Sequence, residues 1–164
     1  MMRKASMAPV GARDPRLLLL GSLPGDASLA AQRYYAHPTN QFWRLVGGAL
    51  AEELAGLAYD TRLARLAARG VALWDVVERA ERQGSLDGAI RGATHNPLAE
   101  FVAELPRLEA VGFNGKTAAA IGRRALARTG LALIDLPSSS AAFTLAFEAK
   151  AERWRALARF VDPA

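Results

Sequence analysis

The sequence has no cysteine, only two histidines and three lysines, and no apolar run that approaches the length of a membrane span. The lack of cysteine excludes disulfides, thiolate nucleophiles and Cys-ligated zinc or iron–sulfur clusters. His37 and His95 alone are too few for a typical structural metal site, so we expect no metal and no other cofactor. Because apolar runs are short, we expect no membrane contact. Residues 1–15 contain basic residues but no apolar core of signal-peptide length, which predicts a cytoplasmic protein.

Positive charge is in moderate excess, and arginine carries most of it. The 164 residues have a formal net charge of +5 and a pI of about 10.2, which permits a polyanionic partner without requiring one. Arginine suits bidentate contacts with phosphate, although an arginine-rich chain can also reflect codon bias. The length fits one domain with a substantial core. We expect that domain to span residues 14–164, behind a flexible arm formed by residues 1–13.

Short apolar runs bounded by turn residues predict strands that are buried on both faces. They are Arg16–Leu20, Val71–Val77, Leu108–Phe113 and Leu131–Leu136. Intervening segments predict helices at 28–35, 40–50, 61–69, 97–105, 116–128 and 148–160. The polar segment 78–96, with Gly84, Gly88 and Gly92, predicts mostly loop with one short helical turn. Continuous apolar strands that alternate with helices are typical of a parallel sheet covered on both sides. The predicted fold class is therefore α/β, a three-layer α/β/α sandwich around a central, mainly parallel four-stranded sheet.

Each predicted strand ends in small or polar residues. These ends are GSLPG at 21–25, Asp75, NG at 114–115 and PSSS at 137–140. The carboxyl ends of parallel strands lie on one rim, where ligands bind in open α/β sheets. We therefore expect a site on this rim, although strand ends are also simply where turns occur.

A second polar segment, HPTN at 37–40, follows the first strand within one helix length. Aromatic residues lie on both sides of it, namely Tyr34, Tyr35, Phe42 and Trp43. Two loops of small and polar residues with aromatic neighbours predict a pocket with an aromatic wall.

Several familiar motifs are present only in part. GSLPG lacks the third glycine of a dinucleotide-binding fingerprint, and FNGKTAA at 113–119 lacks the first glycine of a phosphate-binding loop. The serines at 138–140 could supply a nucleophile with His95 as its base, but no G-x-S-x-G elbow surrounds them. These departures argue against a nucleotide triphosphatase and a serine hydrolase.

GSLPG followed by YYAHPTNQFW at 34–43 resembles the uracil-DNA glycosylase superfamily. The resemblance is closest to family 6, the hypoxanthine (deoxyinosine) DNA glycosylases, and it is also near the mismatch-specific thymine/uracil glycosylases. LWDVVER at 73–79, FNGKTAA and LPSSSAA at 136–142 follow in the family's order, so nearly the whole chain after Asp14 is covered. The absence of cysteine sets aside the iron–sulfur branches of the superfamily.

The resemblance implies a monofunctional DNA glycosylase of base excision repair. Such enzymes flip a damaged nucleotide out of the DNA and cut its N-glycosidic bond. The expected partner is DNA that contains a deaminated base, hypoxanthine or uracil, and the expected product is an abasic site. We expect a monomer that acts on nucleoid DNA in the cytoplasm. The alternatives are a mismatch-specific thymine/uracil glycosylase, a catalytically weak DNA-binding module of the same fold, and a hydrolase of free nucleosides.

The resemblance also assigns residues that would bind the base. They are Gly21, Ser22, Leu23, Tyr35, Asp75 and Asn114. Tyr35 matches the stacking aromatic of the family, although a core tyrosine is the alternative. The backbone amides of Ser22 and Leu23 would face the base carbonyl oxygen and stabilise charge that gathers there.

Asn40 is the expected catalytic residue. Many relatives carry Asp or Asn as the third residue of the first loop, to hold the attacking water, whereas this chain has Leu23, which cannot do so. Asn40 matches the asparagine that the family 6 resemblance marks as catalytic, and its amide can orient a water or bond the leaving base. Alternatively, Asn40 only satisfies backbone groups where a helix begins. Asp26 and His37 are weaker candidates.

Asp75 is expected to select the base. A carboxylate only accepts hydrogen bonds. Hypoxanthine and uracil both present a ring N–H beside a carbonyl, which suits this acceptor, whereas adenine presents a bare ring nitrogen and would be repelled. The alternative is that Asp75 forms a salt bridge with Arg79 or a neighbouring arginine.

The loop after the fourth strand is expected to bind the DNA backbone. Ser138, Ser139 and Ser140, with their backbone amides, would hold phosphates beside the flipped nucleotide. Relatives often place an arginine or leucine wedge shortly after this loop, where this chain has Ala142, so Phe143 is the expected inserting residue. The alternative is a weak wedge, in which case single strands would be cut as well as duplexes. Lys116 lies where a helix is predicted to begin and is expected to be solvated rather than to act as a lyase nucleophile.

Overall fold

The structure, a computed structural model, describes residues 3–81 and 91–164. Its strands are β1 (Arg3–Ala5), β2 (Val10–Gly11), β3 (Leu17–Gly21), β4 (Val71–Asp75), β5 (Val77–Glu81), β6 (Arg91–His95), β7 (Ala110–Asn114) and β8 (Ala132–Leu136). Its helices are α1 (Asp26–Ala31), α2 (Phe42–Leu50), α3 (Tyr59–Ala68), α4 (Leu98–Ala103), α5 (Lys116–Leu126) and α6 (Phe147–Trp154), and a 3₁₀ helix (Arg155–Phe160) continues α6.

The central sheet has the strand order β2-β4-β3-β7-β8. β3 pairs in parallel with β4 and with β7, and β7 pairs in parallel with β8. These are the four predicted strands, and the mainly parallel sheet is confirmed. The sheet has a fifth strand that was not predicted, because the two residues of β2 pair antiparallel with Leu73 and Ala72.

The strand register aligns the ends of neighbouring strands. Gly21 lies opposite Asp75 at the ends of β3 and β4, and Asn114 lies opposite Leu136 at the ends of β7 and β8. β3 is central, and the chain adds β4 on one side of it and β7 on the other. The point at which the strand order reverses is where open α/β sheets form their ligand crevice.

Helices cover both faces of this sheet. Since successive strand residues point to opposite faces, the side chains of one strand pack against helices on both sides. Leu17 and Leu19 belong to one buried apolar cluster, which includes residues of α2, α3 and α6. Leu18 and Leu20 belong to a second cluster, which includes residues of α4 and α5. A strand that is buried on both faces has no polar alternation, which is why the run from Leu17 to Leu20 is continuously apolar.

A second sheet replaces part of the expected loop at 78–96. β5 lies between β1 and β6 and pairs antiparallel with both. The loop prediction is therefore wrong for residues 78–81 and 91–95, which include Gly92, whereas Gly84 and Gly88 lie outside the described residues. β5 and β6 are rich in charged and small residues, so their pairing has no hydrophobic pattern that a sequence could reveal.

The first residues also differ from the expected flexible arm. Residues 3–5 pair with β5 and residues 10–11 pair with β4. Between these strands, the carbonyl of Met7 accepts hydrogen bonds from the Tyr34 hydroxyl at 3.2 Å and from Trp74 Nε1 at 3.1 Å. Tertiary contacts thus hold a segment whose own sequence has no strong strand signal.

The helix expected at 28–35 is shorter and begins earlier. It spans Asp26–Ala31, so Ser28 lies inside α1 and does not cap it. The Ser28 hydroxyl instead accepts the backbone N–H of Ala36 at 3.0 Å. Ser28 therefore holds the loop that follows α1 against the helix.

Packing against the sheet predicts that alanine substitutions at two helical glycines have different effects on stability. A Cβ on Gly122 of α5 would lie 2.2 Å from Cε1 of Phe113, whereas a Cβ on Gly48 of α2 would meet nothing within 4 Å. We expect Gly122→Ala to lower the free energy of unfolding by about 1–3 kcal/mol through overpacking, and Gly48→Ala to leave it unchanged or raise it by up to about 1 kcal/mol. Urea unfolding of the two variants measures this difference, and equal stabilities would contradict the packing described here.

Candidate active site

A cavity of about 310 Å³ opens at the carboxyl ends of the parallel strands. This volume lies at the lower end of the range for small-molecule sites, roughly 300–1,000 Å³. All the expected site residues except Phe143 line it, namely Gly21, Ser22, Leu23, Tyr35, Asn40, Asp75, Asn114, Ser138, Ser139 and Ser140. The four strand ends therefore converge on one cavity, as the sequence predicts.

Gly21 lets two side chains of the expected site approach the end of β3. A Cβ at this position would lie 2.8 Å from the Tyr35 hydroxyl oxygen and 2.9 Å from Oδ1 of Asp75. The carbonyls of Gly21 and Ser22 accept the N–H groups of Val76 and Val77 at 2.8 and 2.9 Å, which extends the pairing of the strands into the first loop. A bare Cα at Gly21 thus brings a phenol and a carboxylate to the same part of the cavity wall.

Tyr35 has a backbone conformation that non-glycine residues rarely adopt. Its φ is 55°, in the left-handed region, and such a residue costs roughly 1–3 kcal/mol unless its surroundings require it. Its ring stacks on Phe42 with centroids 3.8 Å apart and planes 11° apart. The stack and the bond from the next residue, Ala36, to Ser28 hold the strained loop in place.

Asp75 is buried at the end of β4, with 3 % of its surface exposed. Its backbone carbonyl accepts a hydrogen bond from Nδ2 of Asn96 at 2.7 Å. Burial raises the pKa of the nearby Tyr34 phenol far above its ordinary value, and the charge of Asp75 raises it further. The phenol of Tyr34 therefore stays neutral beside Asp75.

Three polar side chains form one hydrogen-bonded chain on the opposite wall. Asn114 Nδ2 donates to the hydroxyl oxygen of Ser139 at 2.8 Å, and that hydroxyl donates to Oδ1 of Asn40 at 2.8 Å. Asn114 Oδ1 also accepts the backbone N–H of Ser139 at 2.9 Å. Asn114 was expected to bind the base, whereas here both ends of its amide are bonded to Ser139.

The same contacts determine how the amide of Asn40 is oriented. Its Oδ1 accepts the backbone N–H of Phe42, the first residue of α2, at 2.9 Å, in addition to the Ser139 hydroxyl. A backbone N–H can only donate, so the oxygen must face it and the nitrogen must lie on the other side. Among the described residues, no hydrogen bond involves Nδ2 of Asn40, so its N–H groups are the part of the amide left for a ligand in the cavity.

Ser138 and Ser140 differ from Ser139 in their surroundings. Ser139 is 1 % exposed and bonded to the two asparagines, so it does not present its hydroxyl to an outside phosphate as expected. The backbone N–H of Ser140 donates to the Ser138 hydroxyl oxygen, and the N–H of Ala142 donates to that of Ser140, each at 3.2 Å. The hydroxyls of Ser138 and Ser140, rather than these backbone amides, are therefore the groups that can donate to a phosphate.

Phe143 lies outside the cavity and is 42 % exposed. Leu145, two residues later, is 41 % exposed, and the two are the large exposed apolar side chains among the described residues. The cavity wall ends at Ala141 and Ala142, immediately before them. The loop after the serines thus carries two apolar side chains beside the cavity mouth, one of which, Leu145, the sequence analysis missed.

Comparison with known proteins agrees with this geometry. Residues 8–158 match the family described as the uracil DNA glycosylase superfamily. The chain belongs to this superfamily. The protein is therefore a DNA glycosylase, a hydrolase that acts on N-glycosyl bonds, and the alternative of a catalytically weak binding module is not favoured.

Individual relatives cover most of the chain. It is 35 % identical over 158 residues to the hypoxanthine DNA glycosylase of Methanosarcina acetivorans, which is 96 % of this chain and 99 % of that one. It is 39 % identical over 115 residues to the protein of the same name from Methanosarcina barkeri, which is 70 % and 73 % of the two chains. A solution NMR structure described as a candidate uracil DNA glycosylase from Methanosarcina acetivorans has a TM-score of 0.87 and 35 % identity, over 96 % of this chain and 98 % of that one.

Leu23 occupies the first-loop position at which the family resemblance predicts Asp or Asn. Its side chain is buried in the apolar cluster formed with α4 and α5. His37, a weaker catalytic candidate, accepts the backbone N–H of Thr39 at its own Nδ1 at 3.2 Å, so it shapes the loop before Asn40. Neither residue takes the place of a polar group in the first loop.

Sequence reasoning missed Lys150, which contacts two loops of the site. Its ammonium donates to Oε1 of Gln41 at 2.9 Å and to the backbone carbonyl of Ser140 at 3.1 Å. The spacing of Lys150, Trp154 and Leu157 is the available signal, because it puts the lysine on the apolar face of the last helix.

Two kinds of feature are absent from the part of the chain that the structure describes. No helix there is long and apolar enough to cross a membrane. Within residues 3–81 and 91–164, no group of three or more histidine, aspartate or glutamate side chains could hold a metal ion.

The central position of Ser139 in the hydrogen-bonded chain predicts that Ser139→Ala lowers stability much more than Ser140→Ala. Ser139→Ala would leave the buried Nδ2 of Asn114 without the acceptor described here, and such a loss costs about 1–3 kcal/mol. Ser140→Ala removes only the acceptor of the exposed Ala142 N–H, so its effect should stay within about 0.5 kcal/mol. Urea unfolding of both variants tests this prediction, and a Ser139→Ala variant as stable as the wild type would contradict the role of Ser139 as the joint of the network.

Proposed function

We propose that this glycosylase removes a deaminated base from DNA, with hypoxanthine as its main substrate and uracil as a second one, and leaves an abasic site. The observation that carries the proposal is the convergence of Tyr35, Asn40 and Asp75 on one cavity of small-molecule size. The names of the Methanosarcina relatives support hypoxanthine as the base. We further propose that the protein acts as a monomer on nucleoid DNA in the cytoplasm.

The reaction breaks one bond and forms one. The N-glycosidic bond breaks, its electron pair goes to the base nitrogen, and the sugar acquires oxocarbenium character. The oxygen of a water forms the new bond to C1′, and one water proton is released and ultimately balances the charge of the departing base. Stabilisation of the negative charge on the base therefore lowers the barrier directly.

The base would lie between polar groups and the aromatic wall. Phe42 supports one face of Tyr35 by stacking, and the ring of Tyr35 would contact the flipped base in turn. The first loop, with Gly21 and the backbone amides of Ser22 and Leu23, would face a base carbonyl oxygen. This arrangement holds a flat ring that carries a carbonyl group beside a ring N–H.

Asp75 would select the deaminated base. Its carboxylate would accept the ring N–H of hypoxanthine or uracil. Adenine offers an unprotonated ring nitrogen at the corresponding position, so two acceptors would face each other. Burying two facing acceptors with no donor between them is costly, typically about 1–3 kcal/mol, which discriminates against the normal base.

Asn40 would act as a hydrogen-bond donor to the leaving base. Its Oδ1 already accepts two hydrogen bonds, so Nδ2 is the part of the side chain that supports a catalytic role. The helix-start role and the catalytic role are compatible, because each uses a different end of the amide. Asn114 and Ser139 would then position Asn40 rather than touch the substrate.

DNA binding would use the loop that follows β8. The hydroxyls of Ser138 and Ser140 would donate to phosphates beside the flipped nucleotide. Phe143, exposed beside the cavity mouth, would insert into the space that the base leaves, as apolar wedges do in other DNA-bending proteins. Leu145 would assist it.

The substrate test offers the protein matched duplexes that contain deoxyinosine, deoxyuridine or deoxyadenosine at one position, followed by alkali to cut abasic sites. We expect cleavage at deoxyinosine and deoxyuridine and none at deoxyadenosine. Asp75→Asn should lower kcat/KM for deoxyinosine by about tenfold to a hundredfold, which is the loss of one charge-assisted hydrogen bond. Asp60→Asn, an exposed position in α3, is the matched control.

Each outcome of this test has a separate meaning. Binding to DNA without cleavage of any duplex would favour the binding module and overturn the proposal. Free deoxyinosine and deoxyuridine are offered in a parallel reaction, and cleavage of these nucleosides without cleavage of the duplexes would favour a small-molecule hydrolase. Equal deoxyinosine cleavage by Asp75→Asn and the wild type would remove Asp75 from base selection.

The donor role of Asn40 predicts that two different substitutions have the same effect. Asn40→Ala removes the whole amide, and Asn40→Asp keeps an acceptor for Phe42 and Ser139 but removes the donor. We expect both to lower the single-turnover cleavage rate at pH 8 by at least about a hundredfold. If Asn40→Asp instead cleaves near the wild-type rate, the residue orients water through its oxygen and the donor role is wrong.

A further inference from the structure

Lys150 is a fully buried lysine, with 0 % of its surface exposed. Among the described residues it forms no salt bridge within 4 Å of a carboxylate, and its two hydrogen bonds go to neutral acceptors, Gln41 Oε1 and the Ser140 carbonyl. The ring of Phe143 lies 5.3 Å from its Nζ, within cation–π distance. Burial lowers the pKa of Lys150 below its ordinary value.

A buried ammonium is costly unless its contacts compensate for lost water. An apolar side chain of similar length at this place on α6 would avoid that cost, and the neighbouring surface of α6 already packs with Trp154 in the core. The position of Lys150 is therefore not explained by stability alone. Its two acceptors indicate what it does, because each belongs to a different loop of the site.

Each acceptor is the direct neighbour in sequence of a residue in the hydrogen-bonded chain. Gln41 follows Asn40, and Ser140 follows Ser139. The same two loops also meet through the backbone, where the N–H of Gln41 donates to the Ser139 carbonyl at 2.9 Å. Lys150 therefore spans the junction at which Ser139 donates to Asn40.

Among the described residues, side chains of α6 donate two hydrogen bonds to the serine loop, residues 137–140, and one of them comes from Lys150. Nε1 of Trp154, one helical turn later, donates to the carbonyl of Pro137 at 2.9 Å. Residues four apart lie on the same face of a helix. The helix therefore holds the loop at its first residue and at its last serine, and the lysine also donates to Gln41, next to Asn40.

We propose that Lys150 is a positioning residue for catalysis: its ammonium joins the two loops so that Ser139 stays bonded to Oδ1 of Asn40 and Nδ2 of Asn40 is directed at the base. This proposal rests on the proposed function of Asn40. Loss of the ammonium would loosen the junction and misdirect the donor, while the surface that binds DNA would remain. Lys150 thus acts through Asn40 and does not touch the substrate.

The first experiment compares Lys150→Met with Arg153→Met, which removes the same charge from the exposed side of α6. Single-turnover cleavage of a deoxyinosine duplex at saturating protein should fall by about tenfold or more in Lys150→Met, with affinity for an undamaged duplex within about threefold of the wild type. Arg153→Met should leave the cleavage rate unchanged. Equal rates for Lys150→Met and the wild type, or a loss confined to affinity, would overturn the proposal.

The second experiment combines Lys150→Met with Asn40→Ala. If the lysine works through Asn40, adding Lys150→Met to Asn40→Ala should change the residual rate by no more than about threefold. Losses that multiply would show that Lys150 acts independently of Asn40, contrary to the proposal. Gln41→Leu, which removes one acceptor and leaves Lys150 in place, should reproduce the same pattern if Lys150→Met does not fold.

A third measurement needs no activity. Hydrogen exchange at the Gln41 amide, which donates to Ser139, should accelerate about tenfold or more in Lys150→Met and not in Arg153→Met, while amides of β3 keep their protection. If the wild type cleaves neither base but exchange accelerates in Lys150→Met, the proposed function is wrong and the role of Lys150 in joining the two loops is supported. If neither exchange nor cleavage changes in Lys150→Met, the role of Lys150 is wrong, whereas the proposed function of the protein still stands.

Discussion

A buried hydroxyl joins the two halves of the site. Ser139 and Asn40 are 99 positions apart in the chain, yet their side chains are 2.8 Å apart. Asn114, from the end of β7, holds Ser139 from the other side. Because each member of this chain has a specific donor and acceptor, one amide orientation of Asn40 satisfies all of them, and the rest of the site depends on that orientation.

The opposite wall depends on close approach rather than on polar bonding. Gly21 has no side chain, so Tyr35 and Asp75 both come within reach of its Cα. The strained backbone of Tyr35, the stack on Phe42 and the bond between Ser28 and Ala36 belong to the same arrangement. Backbone strain of this kind persists only where several contacts require it. Close packing thus positions Tyr35 and Asp75, whereas hydrogen bonds set the direction of the Asn40 amide.

Much of the fold could be predicted because burial leaves a local pattern. Leu17 to Leu20 are apolar without interruption since both sheet faces are covered, and this pattern identified β3 as it did β4, β7 and β8. The second sheet left no such pattern, because charged and small residues separate the few buried apolar ones, Val77 and Ala80, and the strands pair with segments elsewhere in the chain. The same reason explains β2, whose two residues are a strand only beside β4.

The sequence by itself determined the layers, the parallel strands and the rim on which polar residues gather, because strand ends in a parallel sheet share one edge. It also determined which residue types were present there. Only the tertiary structure decided what each could do: Asn114 and Ser139 turned inward to bond each other, Asn40 kept its nitrogen for the cavity, and Lys150 lay beneath both loops. Hydrogen-bond partners far apart in sequence are set by packing, and no local pattern encodes them.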